Sequence, residues 1–477
     1  MRILHISMEC YPAAKYGGLG DVVGALPKYL NQMGMDTSVV MPFHHTKWLL
    51  QQQFREVFAG HVRMHQDYVW FNILAVESAD LGFPLYVVNI PGYFDRPGVY
   101  GPLEGGWYGD EIRRNLLFQQ AVLKWVVDMQ WKPRVLHCHD HHTGLIPFMV
   151  KYCPEFDSLR DMPTVFTIHN GAYHGSFGWN LVHLLPYFYA EARGLLDWNN
   201  AICPLAAGIK CCWRLTTVSK GYLEELRHDS NGMEALIRHE WPKAVGIVNG
   251  IDTKVWDPAT DPHIAYHYDG KDVTTFKQKN KNRVLDRFRI IPDLPIITYI
   301  GRLVSEKGAD LLPDTIRNLR AMGVRAGFVI LGTGDKPLME TFDRLRHEHS
   351  GYVDVSLEYN EKLAHQLYAG SDFLIMPSRV EPCGLNQMYA CRYGTVPIVR
   401  SVGGLRDTIP DIGERGGRGI RFDQFTVEDA SFAVVRATHL YANAEALETL
   451  RRHIMSVDFS WERSAGEYLN LYRELGA

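Results

Sequence analysis

The sequence predicts an α/β protein built from two doubly wound, Rossmann-like domains that face a deep cleft. Short apolar, β-like runs alternate with amphipathic helical stretches along most of the chain, the pattern of βα units in a parallel sheet. The runs fall into two series separated by a polar stretch. A Gly pair follows a β-like run near each end of the chain: Gly17-Gly18-Leu19-Gly20-Asp21 and Gly403-Gly404-Leu405-Arg406-Asp407. Glycine at a strand-to-helix turn removes the Cβ that would keep a ligand off the backbone. It also leaves free N–H groups at a helix N-terminus, which favours an anion such as phosphate there.

In the first series the predicted strands are 2–7, 37–41, 84–90, 134–138, 163–168 and 214–218. They are near-continuous apolar runs that suit a sheet buried on both faces. Helical patterns over 22–33 and 111–129 lie between them, and 61–78 alternates as an antiparallel hairpin does. The second series predicts strands at 296–300, 327–331, 353–357, 373–376, 397–399 and 419–422, with helices over 311–322 and 361–369. A β run at 245–248 ends in the turn signal Asn249-Gly250-Ile251-Asp252, which places the boundary there. The expected domains are 1–248, 249–457 and a C-terminal helical segment, 458–477, whose docking site the pattern does not fix. The polar stretch 257–281 reads as a surface excursion.

The 477 residues suffice for two or three domains. Hydrophobic residues at 46% and charged residues at 22% are ordinary for a globular protein, and a formal net charge of −4 argues against a nucleic-acid partner. The N-terminal run is broken by His5 and followed by Glu9, unlike a signal peptide. No window approaches a membrane span. The eight cysteines form no CxxC pair and read as reduced thiols of a cytoplasmic protein.

Ligands of doubly wound sheets bind beyond the carboxyl ends of strands, so chemistry is sought there. Lys15, two residues before the first Gly pair, can reach a phosphate as a point charge; a solvated loop lysine is the plainer reading. Asp21 suits either a ligand or a helix start. Arg302 and Lys307 follow the strand 296–300 and would cradle a diphosphate, with arginine giving bidentate contacts. The spacing is not that of a Walker A loop. Glu381, after the strand 373–376, could bond sugar hydroxyls or offset positive charge developing on a sugar ring. Cys383 invites a nucleophile reading but has no partner to lower its thiol pKa. The run His137-Cys138-His139-Asp140-His141-His142 suggests a metal, yet a strand ending in a cleft also collects His and Asp for hydroxyls, and no further ligands with zinc spacing are evident. His169 ends the next strand, so it should lie beside Asp140. The run Phe94 to Gly98, containing Arg96, is either a turn or part of an acceptor groove.

At these residues the chain resembles the glycogen and starch synthases, retaining glucosyltransferases of the GT-B arrangement. The matching segments are 15–21, 137–142, 167–170, 249–252, 302–308, 381–387 and 403–408, with Asp458-Phe459-Ser460-Trp461 near the end. Each is weak alone; the ordered set is specific. The resemblance implies transfer of glucose from a sugar nucleotide to the 4-hydroxyl at the non-reducing end of an α-1,4-glucan, without metal or cofactor. It also implies that 1–248 is the acceptor side, that 249–457 binds the sugar nucleotide and that the C-terminal helix returns to the first domain. It implies catalytic roles for Lys15, Asp140, His169, Arg302, Lys307 and Glu381. Lys15 would touch the donor phosphate, and Arg302 and Lys307 the leaving diphosphate. His169 would hold the glucose, Asp140 would orient acceptor or glucose, and Glu381 the donor sugar. Gly18, Asp21, Asn249, Cys383, Gly384, Leu385, Asn386, Gly403 and Gly404 would bind substrate, and Tyr359 would stack on the nucleobase.

The resemblance also carries departures. Position 389, eight residues after Glu381, is Tyr, so the double-Glu pattern of many related transferases is incomplete, as it is in this family. Position 16 is Tyr, where many bacterial members carry Thr or Val, and position 386 is Asn rather than Thr. These leave ADP-glucose and UDP-glucose both open, with the bacterial-type size favouring ADP-glucose. The competing readings are another retaining GT-B transferase, a metal-dependent hydrolase built on His137–His142, and a catalytically silent glucan-binding protein.

Overall fold

The computed structural model describes residues 1–102, 106–129 and 132–476. Among them the chain divides into two units. The first comprises 1–218, 223–247 and 461–477, and the second comprises 219–222 and 248–460.

The first unit carries β1 (Arg2–Ile6), β2 (Asp36–Pro42), β3 (Phe54–Met64), β4 (Asp67–Val76), β5 (Leu85–Asn89), β6 (Val135–His139) and β7 (Thr164–Ile168). A two-stranded ribbon, β8 (Asp197–Trp198) and β9 (Ala201–Ile202), stands apart from the main sheet. The strands β10 (Arg214–Thr217) and β11 (Ala244–Gly246) complete that sheet, whose order is β11-β10-β7-β6-β1-β2-β5-β4-β3. All its pairings are parallel except β3 with β4 and β4 with β5. The expected hairpin is therefore present but longer, beginning at Phe54. Its first residues alternate too weakly in hydrophobicity to be read as strand, because β3 is an edge with mixed exposure. β1 is central: β2 lies on one side and β6 on the other. Its buried run Ile3–Ile6 fits a strand covered on both faces.

The helix Gly18–Gln32 starts four residues before the predicted one, with Leu19 buried and Asp21 in its first turn, where a carboxylate suits the dipole. The helix Trp461–Glu474 packs on this unit. Its Trp461, Ala465, Tyr468, Leu471 and Tyr472 join Ile3, Val22, Leu26, Tyr29, Leu30, Val135 and Val165 in one apolar cluster. The C-terminal helix thus returns to the first unit, burying the apolar stripe that its spacing creates.

The second unit carries six parallel strands: β12 (Ile296–Ile300), β13 (Gly327–Leu331), β14 (Val353–Ser356), β15 (Phe373–Met376), β16 (Val396–Arg400) and β17 (Ile420–Phe422), in the order β14-β13-β12-β15-β16-β17. β12 is the starting strand, and the order reverses between it and β15. The stretch 219–222 belongs here because Ser219 Oγ donates to the Pro382 carbonyl (2.5 Å) and the Gly221 amide donates to Asp407 Oδ2 (2.7 Å).

The reading of 257–281 as a surface excursion is corrected. Asp272 caps the helix Val273–Arg287 by accepting from the Thr275 amide (2.9 Å). That helix buries Lys277, Asn280 and Lys281. Lys281 Nζ lies 2.7 Å from Asp372 Oδ2 and also donates to the Leu294 carbonyl and the Tyr441 hydroxyl. Asp261 accepts from the Tyr393 hydroxyl (2.5 Å), and its Oδ2 lies 2.7 Å from His365 Nδ1. A count of polar residues cannot register that they pair inside the protein.

Candidate active site

In the first unit the strand order turns at β1 and β6, and the loops leaving their carboxyl ends carry the candidate residues. The tip of β6 leads into Asp140, a non-glycine residue held at φ 57°, ψ 176°. That region is nearly confined to glycine and costs about 1–3 kcal/mol, so it is kept only where the surroundings enforce it. Asp140 Oδ1 accepts from the His169 amide at 2.7 Å and the Asn170 amide at 3.3 Å. Asp140 and His169 thus meet across neighbouring strand tips, as expected. Burial raises the Asp140 carboxyl to about 6, against the two amide bonds that lower it.

Lys15 Nζ lies 2.7 Å from Asp21 Oδ1, both part-exposed. The loop before the first helix already holds a carboxyl group, that of Glu9, whose pKa burial raises. Glu9 Oε2 accepts from the Tyr16 amide (2.6 Å) and the Gly17 amide (3.0 Å), while the Tyr100 hydroxyl donates to Oε1 (2.6 Å). The expectation that the first Gly pair leaves its amides open is corrected for Gly17, whose amide Glu9 takes. A Cβ built on Gly18 meets nothing within 4 Å, so any demand for glycine at 18 comes from a ligand or the helix start rather than from packing. Glu9 and Tyr100 were not singled out by sequence reasoning. The signal was a carboxylate two residues beyond the β-like run 2–7. Arg96 is held bidentately by Asp110 (2.9 and 2.7 Å), so its guanidinium is part of a turn.

The histidine run divides into two groups. His5, His137 and His139 share one face of adjacent strands, because His5 pairs in register with His137 and side chains repeat every second residue. Their ring centroids lie 4.3 to 5.3 Å apart, with His139 stacked on both His5 and His137. Both nitrogens of His137 are engaged, with the Tyr472 hydroxyl (2.7 Å) and Thr167 Oγ1 (2.6 Å). Both nitrogens of His139 are engaged as well, with His5 and His169. A metal would have to displace these contacts. The second group is Glu111, His141 and His142. Glu111 Oε1 lies 3.9 and 4.0 Å from their Nε2 atoms. The two rings lie 3.7 Å apart and are inclined by only 33°. In this arrangement the rings would have to turn before both aimed an in-plane lone pair at one ion about 2 Å from each.

In the second unit the switch lies between β12 and β15, and both of their carboxyl ends carry charge. Lys307 Nζ lies 2.8 Å from both carboxylate oxygens of Glu381, and Ser378 Oγ donates to Oε2 (3.0 Å). Glu381 is 6% exposed. Gly308, at φ 68°, follows Lys307; a Cβ there would lie 1.9 Å from the Pro377 carbonyl oxygen, so only glycine lets the loop pass. Arg302 stays largely exposed, with Nη2 3.7 Å from Glu306.

The neighbouring motif is built for packing. Asn386 Nδ2 donates to the Ile300 carbonyl (2.7 Å), tying its helix to the tip of β12. Asn249 is buried, and its backbone N–H faces the Cys383 thiol. Burial pushes that thiol up to about 12, which leaves it protonated. Gly384 and Leu385 lead into the helix Asn386–Arg392. In the second Gly pair the expectation of open amides is corrected for Gly404, whose amide donates to the Glu381 carbonyl (3.0 Å). A Cβ on Gly404 would lie 2.2 Å from the Cys383 carbonyl oxygen, so this glycine serves loop packing. Gly403 has φ 42°. Tyr389 stacks on Trp256 at 3.8 Å, and His365 covers the other face at 3.9 Å. An aromatic sandwich occupies the position where related transferases place a second Glu. Tyr359, just past β14, is 81% exposed.

Two Rossmann-like units with cations and carboxylates at their switch-point strand tips have the makings of a sugar-nucleotide glycosyltransferase. The family described as starch synthase catalytic domain matches residues 2–239, and glycosyl transferases group 1 matches 281–448, which makes the chain a glycosyltransferase. A glycogen synthase of Flavobacterium johnsoniae is 45% identical over 473 residues, covering 99% of this chain and 98% of that one. The chain belongs to the glycogen synthase family. Among solved structures, the catalytic domain of starch synthase IV from Arabidopsis thaliana, bound to ADP and acarbose, superposes with a TM-score of 0.87 at 29% identity, covering 99% of each chain. A sucrose-phosphate synthase from Thermosynechococcus elongatus shares the fold alone, with a TM-score of 0.63 and 16% identity over 99% of this chain and 98% of that one.

Proposed function

We propose that the protein transfers glucose from ADP-glucose to the 4-hydroxyl at the non-reducing end of an α-1,4-glucan, with retention at the anomeric carbon. The observation that carries this reading is the full-length likeness to a glycogen synthase at 45% identity. ADP in the similar starch synthase IV structure supports the adenine donor.

In this reading Lys307 and Arg302 neutralise the departing diphosphate, as preorganised cations do for charge that develops in a transition state. Lys15 touches the donor phosphate. Gly18, Asp21, Gly403 and Gly404 line the phosphate and sugar positions, and Asn249, Cys383, Gly384, Leu385 and Asn386 shape the donor pocket floor. Glu381 meets the donor glucose, and Tyr359 covers the base. His169 holds the transferred glucose and Asp140 orients glucose or acceptor.

Glu381 is a poor nucleophile because Lys307 and Ser378 engage its carboxylate. Retention therefore follows from front-face departure of the diphosphate, which accepts the acceptor's proton as the new bond forms. The eight buried thiols suit a cytoplasmic setting, and no helix among the described residues is long and apolar enough to cross a membrane.

The test is transfer of labelled glucose into glycogen from ADP-glucose and, separately, UDP-glucose, with EDTA present. Incorporation from ADP-glucose that β-amylase releases again supports the donor, the linkage and metal independence together. Incorporation from UDP-glucose alone overturns the donor assignment. No incorporation from either, by folded protein that binds ADP, overturns the acceptor.

A further inference from the structure

Three buried imidazoles stand in single file in the first unit. His5 Nδ1 lies 3.0 Å from His139 Nε2, and His139 Nδ1 lies 2.9 Å from His169 Nε2. At the inner end, His5 Nε2 is buried and has no hydrogen-bond partner. At the outer end, Nδ1 is the nitrogen of His169 that the file does not use.

All three rings are neutral. Burial lowers His5 and His169 to about 3 and takes His139 well below its ordinary value. A neutral imidazole has one N–H and one bare nitrogen, and each contact in the file needs one of each. Only two arrangements of the three protons satisfy both contacts. In the first, every ring carries its proton on Nδ1: His5 donates to His139, and His139 donates to His169. In the second, every ring carries it on Nε2, and the file ends in a buried N–H on His5 that donates to nothing. An orphaned buried N–H is the rarer fault; an unused lone pair is better tolerated. The hydrogen bond at one nitrogen decides where the proton sits on the other, so the orphaned end of His5 selects the first arrangement for the whole file.

We propose that His5 and His139 are positioning residues that hold His169 as its Nδ1–H tautomer, so that its ring offers a hydrogen-bond donor to an oxygen of the transferred glucose. This rests on the reading that His169 holds that glucose. His137 belongs to a separate chain of contacts through Tyr472 and Thr167, and it is not required.

The experiment is heteronuclear NMR of the full, ligand-free protein labelled with 15N-histidine, in which protonated and bare ring nitrogens have well separated shifts. His5→Asn, His139→Gln and His169→Asn each delete one ring and assign the signals. If His139→Gln fails to fold, the two ends of the file are still assigned. The expected result is protonated Nδ1 and bare Nε2 on each assigned ring, unchanged between about pH 6 and 8. A protonated Nε2 on His169, or a cationic ring anywhere in the file, overturns the proposal. In glucosyl transfer, His5→Leu should lower kcat about tenfold, the worth of one hydrogen bond, with little change in KM. His5→Asn, whose side-chain amide can donate where Nδ1–H did, should restore it. A kcat in His5→Leu equal to the parent's overturns the positioning role. The NMR result needs no turnover, so failure of the transfer reaction and failure of the tautomer assignment are told apart.

Discussion

Lys307 Nζ is equidistant, at 2.8 Å, from the two carboxylate oxygens of Glu381. The cation proposed for the leaving diphosphate and the carboxylate proposed for the sugar are partners before any ligand arrives. The contact gives a buried carboxyl group a lysine partner at the strand tips. Lys307→Ala should cost about 3–4 kcal/mol of transition-state stabilisation, as for one preorganised charge-stabilising group. Single-turnover kinetics measure it, and a loss below about tenfold would remove Lys307 from the diphosphate role. Because the two groups touch, Lys307→Ala and Glu381→Gln should be strongly non-additive in a double-mutant cycle.

Cys383→Ser should keep substantial activity. Its thiol is buried and protonated at neutral pH, and a small hydroxyl fits the same space beside Asn249. The parent should also resist iodoacetamide at pH 8. Complete loss of activity in Cys383→Ser, with the fold intact by circular dichroism, would make the thiol a reactant.

Asp140 sets a pH limb. Its carboxyl is raised to about 6 in the folded protein, first by burial, against an unfolded value near 3.9. Ionising it therefore costs the fold stability, increasingly from about pH 4 and fully above pH 6, by about 3 kcal/mol. If the ionised form orients substrate, kcat should fall as pH drops below about 6. Asp140→Asn should abolish that limb and most activity, yet raise the melting temperature near pH 8. An unchanged melting temperature would show that the carboxylate carries no such cost.

Asp372 runs the opposite way. Burial alone would raise its carboxyl, but Arg451 and Lys281, each 2.7 Å away, with the Ile296 amide outweigh burial and hold it below the ordinary carboxylate value. A depressed pKa contributes stability above the unfolded value near 3.9, lost as pH falls through the folded value. Asp372→Ala leaves two buried cations unpaired and should cost about 3–5 kcal/mol. Urea unfolding at neutral pH measures it, and a loss below 1 kcal/mol would mean that the cations find other partners.

Much of this was legible in the sequence because it is local. The runs 296–300, 327–331 and 373–376 are continuous apolar stretches, and the strands coincide with them. The meeting of Asp140 with His169 followed from two neighbouring strands ending in polar residues. The role of Glu9 in the first glycine loop was not legible, because its partners, the Tyr16 and Gly17 amides and the distant Tyr100 hydroxyl, reach it only in the folded loop. Nor was the file from His5 to His169, which joins residues far apart in sequence through the register of β1 on β6. The helix Val273–Arg287 was hidden by its own lysines, whose partners lie in other elements.

The helix Trp461–Glu474 has a consequence for the order in which the protein is made. The face formed by Val22, Leu26 and Tyr29, and the ring of His137, await side chains that leave the ribosome only after residues 248–460 have been synthesised. The amino-terminal half therefore emerges first yet completes its core last, carrying an uncovered apolar groove throughout synthesis. A stop codon just before Trp461 would therefore damage the half of the molecule that is made first.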